Sequence, residues 1–214
     1  MQLDQQRINR PQPRVFNYSL DWRFLLPLAN PEKIFVFFED DFDFSQTLEQ
    51  VGIPVLNQPS FLDIERKEKS EAASFVFPFG LPVRWVGKEQ ADQIEFFRSM
   101  RQLIGDTGNL LVGFNNSWSY QTNAQTKYHS STSRRMTSQL QKAGFKTIKV
   151  LGVIPTLKIP EYIFDLNSRP IYFALQHRFK RKPILLNLIQ LLSRTVGLVS
   201  ISNFLPCYFV LAAV

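Results

Sequence analysis

Four acids crowd into the stretch Phe38-Glu39-Asp40-Asp41-Phe42-Asp43-Phe44, directly after the apolar run KIFVFF and before the helix-like SQTLEQVG. A strand, a tight turn and a helix in that order form the usual seat of a nucleotide-type cofactor, where glycines let the backbone approach the ligand. Carboxylates stand in place of the glycines here. Ligands of open α/β sheets gather at the carboxyl ends of the strands, so the polar exits of the strands are the candidate site. Those exits are Glu39 and Asp40 after the first strand, Asn57 after the second, Phe79 and Gly80 after the third, and Asn115 and Asn116 after the fourth. Asn57 is an amide that can bond hydroxyls, with weaker acceptance than a carboxylate. Asn115 and Asn116 read equally as turn amides bonded locally.

The elements that must position these residues follow from periodicity. KIFVFFE at 33–39 is a continuous apolar run of strand length, the pattern of a parallel strand covered on both faces. Residues 45–51 read as a short helix, with Ser45 as N-cap and Gly52 as stop. IPVL at 53–56 is a second strand, and 57–73 is a polar and charged crossing. SFVFPFG at 74–80 is the next strand. Helical spacing of Ile94, Phe97, Met100, Arg101 and Ile104 predicts a helix over 88–105. NLLVGFNNS is then a strand, STSRRMTSQLQKAGF a helix from Ser131 to Ser133 as far as Gly144, and KTIKVLGVIP a strand. NSRPIYFALQHRFKRK and PILLNLIQLLSRTVG supply two more helical segments, and CYFVLAAV a terminal strand. This alternation implies an α/β layered domain with a mostly parallel sheet over 31–214, preceded by an arm and cover segment over 1–30.

With 214 residues and 44 % hydrophobic content, the chain can bury a real core, and its 20 phenylalanines make that core aromatic. Charge is divided unevenly. Residues 1–95 hold 15 acids and 10 bases, net −5, whereas 96–214 hold 3 acids and 15 bases, net +12. The two halves are either self-complementary or offer a basic surface to an anionic partner. Cys207 is the sole cysteine, set in LPCYFVLAAV, where burial is expected rather than reactivity. His129 and His177 lack ligands at metal-site spacing, so no metal site is expected. The start of the chain carries no apolar signal stretch. Arg194, Asn203 and Pro206 break up the apolar region 183–214 before the ~20 residues that a membrane span needs. A cytoplasmic location follows, with peripheral membrane attachment through the basic half as the alternative.

Taken in order, FFRSMRQLIGDTGNLLVGFNNSW, SRRMTSQLQKAGFKTIKVLGVIP and LPCYFVLAAV give the later half a resemblance to class I S-adenosylmethionine (SAM)-dependent methyltransferases, particularly bacterial methyltransferase-like proteins with poorly preserved cofactor motifs. These segments resemble the family's helix, glycine turn and fifth strand, then its helix ending in AGF with its sixth strand, then its antiparallel terminal strand. The resemblance implies a Rossmann-like methyltransferase sheet, mostly parallel with an antiparallel terminal strand, and SAM as the cofactor. Glu39 stands where the family's first-turn acid begins, but DDFDF replaces its glycines, and Asn57 replaces its ribose-binding acid. About seventeen residues separate the second strand from the next, so the cofactor half is abbreviated.

The family also implies that the loop SWSYQTNAQTKYHSS covers substrate, which would make His129 a general base; a solvent-facing loop histidine is the alternative reading. Cofactor contacts would come from Glu39, Asp40, Asn57, Phe79, Gly80, Asn115 and Asn116. Arg134 and Arg135 suit a phosphorylated or sugar-containing acceptor, or are plain helix-surface charge. Two functions follow: methylation of a small-molecule or carbohydrate-pathway acceptor, or a non-catalytic module with a degenerate motif, a pseudoenzyme, that engages a protein partner or an anionic membrane. Nucleic-acid binding is disfavoured, because few aromatics interleave with the basic clusters.

Overall fold

The computed structural model describes residues 25–26, 34–38, 55–56, 74–87, 89–118, 127–158, 160–166, 175–176, 184, 187, 191, 203 and 205–214. Among the described residues, eight strands lie in one sheet: β1 (Ile34–Phe37), β2 (Val55–Leu56), β3 (Ser74–Phe77), β4 (Asn109–Asn116), β5 (Ser130–Ser131), β6 (Thr147–Pro155), β7 (Pro160–Asp165) and β8 (Cys207–Ala213). Their order is β2-β1-β3-β4-β8-β6-β7, and β5 pairs with β4 off this path. β1 pairs in parallel with β2 and β3, and β3 with β4. β8 inserts antiparallel between β4 and β6, so β6 runs with the parallel set. This is the mostly parallel α/β sheet that the alternation of elements implies, with the antiparallel terminal strand that the resemblance implies. Among the described residues, β2 ends the sheet on its side.

Alternation along the strands divides the core in two. Phe37, Phe75, Phe77, Leu110, Val112, Phe114, Tyr208 and Val210 face the helices, whereas Ile34, Val36, Phe38, Val76, Leu111, Cys207 and Phe209 face the opposite side. Register pairs Phe35 with Phe75 and Val36 with Val76, and the rings interlock across it. Phe37 stacks on Phe77 at 4.8 Å, and Phe75 meets both Phe35 and Phe37 edge-on at 5.5 Å. The abundance of phenylalanine is thus spent on a ladder between β1 and β3.

Three helices have both ends among the described residues: α1 (Val83–Val86), α2 (Gln90–Ile104) and α3 (Ser133–Lys142). A capping box of Glu89 and Asp92 starts α2, and the Thr132 hydroxyl accepts from the Arg135 amide to start α3. The buried face of α2 is Gln93, Phe96, Phe97, Met100 and Ile104. It is rotated from the expected stripe, because Ile94 and Arg101 are only half-buried.

β5, β7 and α1 were not expected. Pro160-Glu161-Tyr162-Ile163-Phe164-Asp165 becomes a strand by pairing with β6, although its leading proline and its acids disfavour strand locally. The expected helix over 45–51 lies outside the described residues. Of the two late helical segments, Leu175, Gln176, Ile184, Asn187 and Leu191 are described and are helical. Cys207 is buried as expected, and burial pushes its thiol up to about 12, so it is an inert group at neutral pH.

Candidate functional site

The chain leaves β1 toward β2 on one side and returns to β3 on the other, so the strand order reverses at β1. Such a reversal opens a crevice at the carboxyl end of the strand. The described residues nearest to it are Phe38, Phe79 and Gly80. Phe38 is fully buried and Phe79 is 4 % exposed; their rings meet edge-on at 6.2 Å. Lys158, in the turn between β6 and β7, holds its ammonium 5.4 Å from the Phe79 ring centre, a cation–π contact. Phe79 is therefore a floor under the strand ends. Glu39, Asp40 and Asn57 lie outside the described residues.

Gly80 has φ 121°, a backbone region that suits glycine, and a Cβ there would lie 3.2 Å from the Cβ of Tyr128. This close approach lets a strap, Lys127 to Ser131, cross the carboxyl edge of the sheet. Its backbone is tied to the chain entering α1: the Val83 amide donates to the Lys127 carbonyl, and the His129 amide to the Leu81 carbonyl, both at 2.9 Å. Tyr128 bridges to Pro82, and Ser130 and Ser131 pair with Asn115 and Asn116 as β5. The strap thus gathers His129, Gly80, Asn115 and Asn116 at one end of the sheet.

The Asn116 amide is committed to the protein. Its Nδ2 donates to the carbonyls of Asn203 at 2.5 Å and Leu205 at 2.8 Å and lies 3.3 Å from the Tyr208 hydroxyl, while its Oδ1 accepts from the Trp118 amide at 3.1 Å. Besides the local turn bond to Trp118, these contacts staple the exit of β4 to the start of β8. Asn116→Ala is expected to take the donor from the buried Leu205 carbonyl and to cost about 1–3 kcal/mol, read as a lower urea midpoint with unchanged slope. Trp118, on the same pinned turn, leaves its indole 66 % exposed.

His129 is half-buried and turned toward the helices. Gln139 Nε2 donates to Gln93 Oε1 at 2.7 Å, and Gln93 Nε2 lies 3.2 Å from His129 Nδ1. An amide NH2 can only donate, so Nδ1 accepts and the ring proton sits on Nε2. Burial pushes the imidazole below its ordinary 6.5, with Arg135 adding to the lowering and the Gly87 backbone working against it. Nε2 itself is buried without a hydrogen bond of ordinary geometry. The inward placement of Gln93 and Gln139 is not legible from residue type, because glutamine is ordinarily a surface residue. Their signal was spacing: Gln93 precedes Phe96 and Phe97 by three and four positions, and Gln139 adjoins Leu140 on the stripe begun by Met136.

Among the described residues, no group of His, Cys, Asp or Glu could hold a metal ion, and no helix is long and apolar enough to cross a membrane.

No protein-family model matches the sequence, and no curated protein matches it. Solved structures do. A SAM-dependent methyltransferase from Archaeoglobus fulgidus is similar over 90 % of this chain and 91 % of its own, at 9 % identity and TM-score 0.50. A SAM-dependent methyltransferase described as a possible histamine N-methyltransferase, from Thermotoga maritima, is similar over 89 % and 84 %, at 11 % identity and TM-score 0.45. Together with the strand order, the first of these gives the chain a class I methyltransferase-like fold.

Proposed function

We propose that this protein binds SAM in the crevice at the carboxyl ends of β1 and β3 and transfers its methyl group to a small-molecule acceptor. The observation that carries the reading is the reversal of strand order at β1 within a methyltransferase-like sheet, since that is where such sheets receive ligands. SAM would supply the electrophilic methyl group. The chain's own part is positioning: the strand ends fix the cofactor, and the strap with the turn after β4 aligns the acceptor. No step needs His129 as a base, and its Nδ1 is already engaged by Gln93.

Thermal denaturation with S-adenosylhomocysteine, the demethylated product, tests the reading. At one hundred times the dissociation constant, a ligand of the folded state adds about 2.7 kcal/mol, which raises Tm by about 5–10 °C in a chain of this size. An unchanged Tm at millimolar ligand contradicts it.

A second reading is favoured by Phe38 and Phe79, which fill the strand ends with apolar rings: a non-catalytic methyltransferase-like module whose basic half engages a protein partner or an anionic membrane. Flotation with anionic liposomes at low and high salt separates the membrane partner from the protein partner.

A further inference from the structure

We propose that His129, Gln93 and Gln139 form a pH-responsive latch, which holds the strap 127–131 over the ends of β3 and β4 and loosens it when His129 gains a proton. The hydrogen bonds run in one direction, from Gln139 to Gln93 to His129, so each amide fixes the orientation of the next. A proton on Nδ1 would set an N–H against the Gln93 NH2. Turning the Gln93 amide alone relieves that clash but sets its NH2 against the Gln139 NH2. Turning both amides puts the Gln139 NH2 where its Oε1 now lies buried without a partner. Gln139 is fully buried and Gln93 is 6 % exposed, so water does not readily compensate either arrangement.

The groups facing the ring from each packed helix are Arg135 of α3, which opposes a second positive charge; the Gly87 backbone at the end of α1, which favours one; and the neutral Gln93 of α2. The sign follows from proton counting. The latched imidazole binds protons less readily than one released to solvent, so the latch is at full strength above the ordinary value of 6.5 and weakens as pH falls below it. Because the strap carries Tyr128 over Gly80 and pairs with Asn115 and Asn116, its release uncovers the carboxyl end of the sheet, which receives the ligand if the proposed function holds. Local opening of this kind needs no global unfolding.

The test is amide hydrogen exchange on the full chain at about pH 7.5 and about pH 5.5, corrected for intrinsic rates, with imidazole nitrogen spectra alongside. The Val83 and His129 amides, which bond across the strap, should lose protection several-fold on acidification, while Leu111 and Val210 in the central strands hold theirs. Gln139→Met frees Gln93 to turn alone and should shrink that loss, and His129→Asn should abolish it. The neutral ring should carry its proton on Nε2. Strap protection independent of pH in the wild-type chain, or a proton on Nδ1 at neutral pH, would overturn the latch even if the His129 variant fails to fold.

Discussion

Phe77→Ala is expected to cost about 3–5 kcal/mol, the usual range when a large buried aromatic is truncated. The side chain is fully buried. It stacks on Phe37 at 4.8 Å across the β1–β3 pair and meets Phe96 of α2 edge-on at 5.6 Å. It therefore joins the two parallel strands that define the crevice to the helix that backs them. Small buried neighbours cannot fill the space, because its partners are rings fixed by their own packing. Phe77→Leu, which retains most of the volume, should cost clearly less. Urea denaturation of the two variants reads the difference; equal costs would mean that the ladder is not the joint it is taken to be.

Gly113→Val is expected to cost about 3 kcal/mol or more, at or beyond the upper end for overpacking. β3 and β4 pair as far as Phe77 with Val112, and the chain then turns at Pro78, which has no N–H to continue the ladder. A Cβ on Gly113 would overlap the Pro78 carbonyl oxygen and lie 3.0 Å from the Phe209 ring. Neither can yield: one is backbone and the other is fully buried. The substitution must separate β3 from β4 at the strand end that leads to Phe79 and Gly80, so any ligand affinity should fall with stability. Gly105→Ala is the comparison: nothing lies within 4 Å of the Cβ it adds, so its cost, about 1–3 kcal/mol, comes from the backbone alone, at φ 70° and ψ −164°.

The sequence made much of this architecture legible, because long periodic segments announce themselves. α2 and α3 carry their stripes, and β1, β3 and β4 are apolar runs bounded by polar turns. The AGF junction falls where α3 ends: the Phe145 amide bonds back to the Leu140 carbonyl, and Gly144 takes φ 99°. β7 was not legible, since PEYIFD becomes a strand only by pairing with β6. Neither was the role of Asn116, whose acceptors lie 87 to 92 positions away; sequence offers its turn propensity and no trace of such partners. His129 was legible as a polar group near the strand ends, but not the direction it faces, because two glutamines on helix stripes draw it inward. Phe79 was read as a strand exit and is also core, an ambiguity inherent in a residue at the boundary between strand and turn.

Binding of SAM at the carboxyl ends of β1 and β3 is open to a residue-by-residue test, backbone amide shifts followed during titration with S-adenosylhomocysteine. Saturable shifts are expected at Phe38, Phe79 and Gly80, with Glu95 and Arg98 on the solvent face of α2 unmoved. Amide shifts confined to other parts of the chain, or none at millimolar ligand, would contradict it.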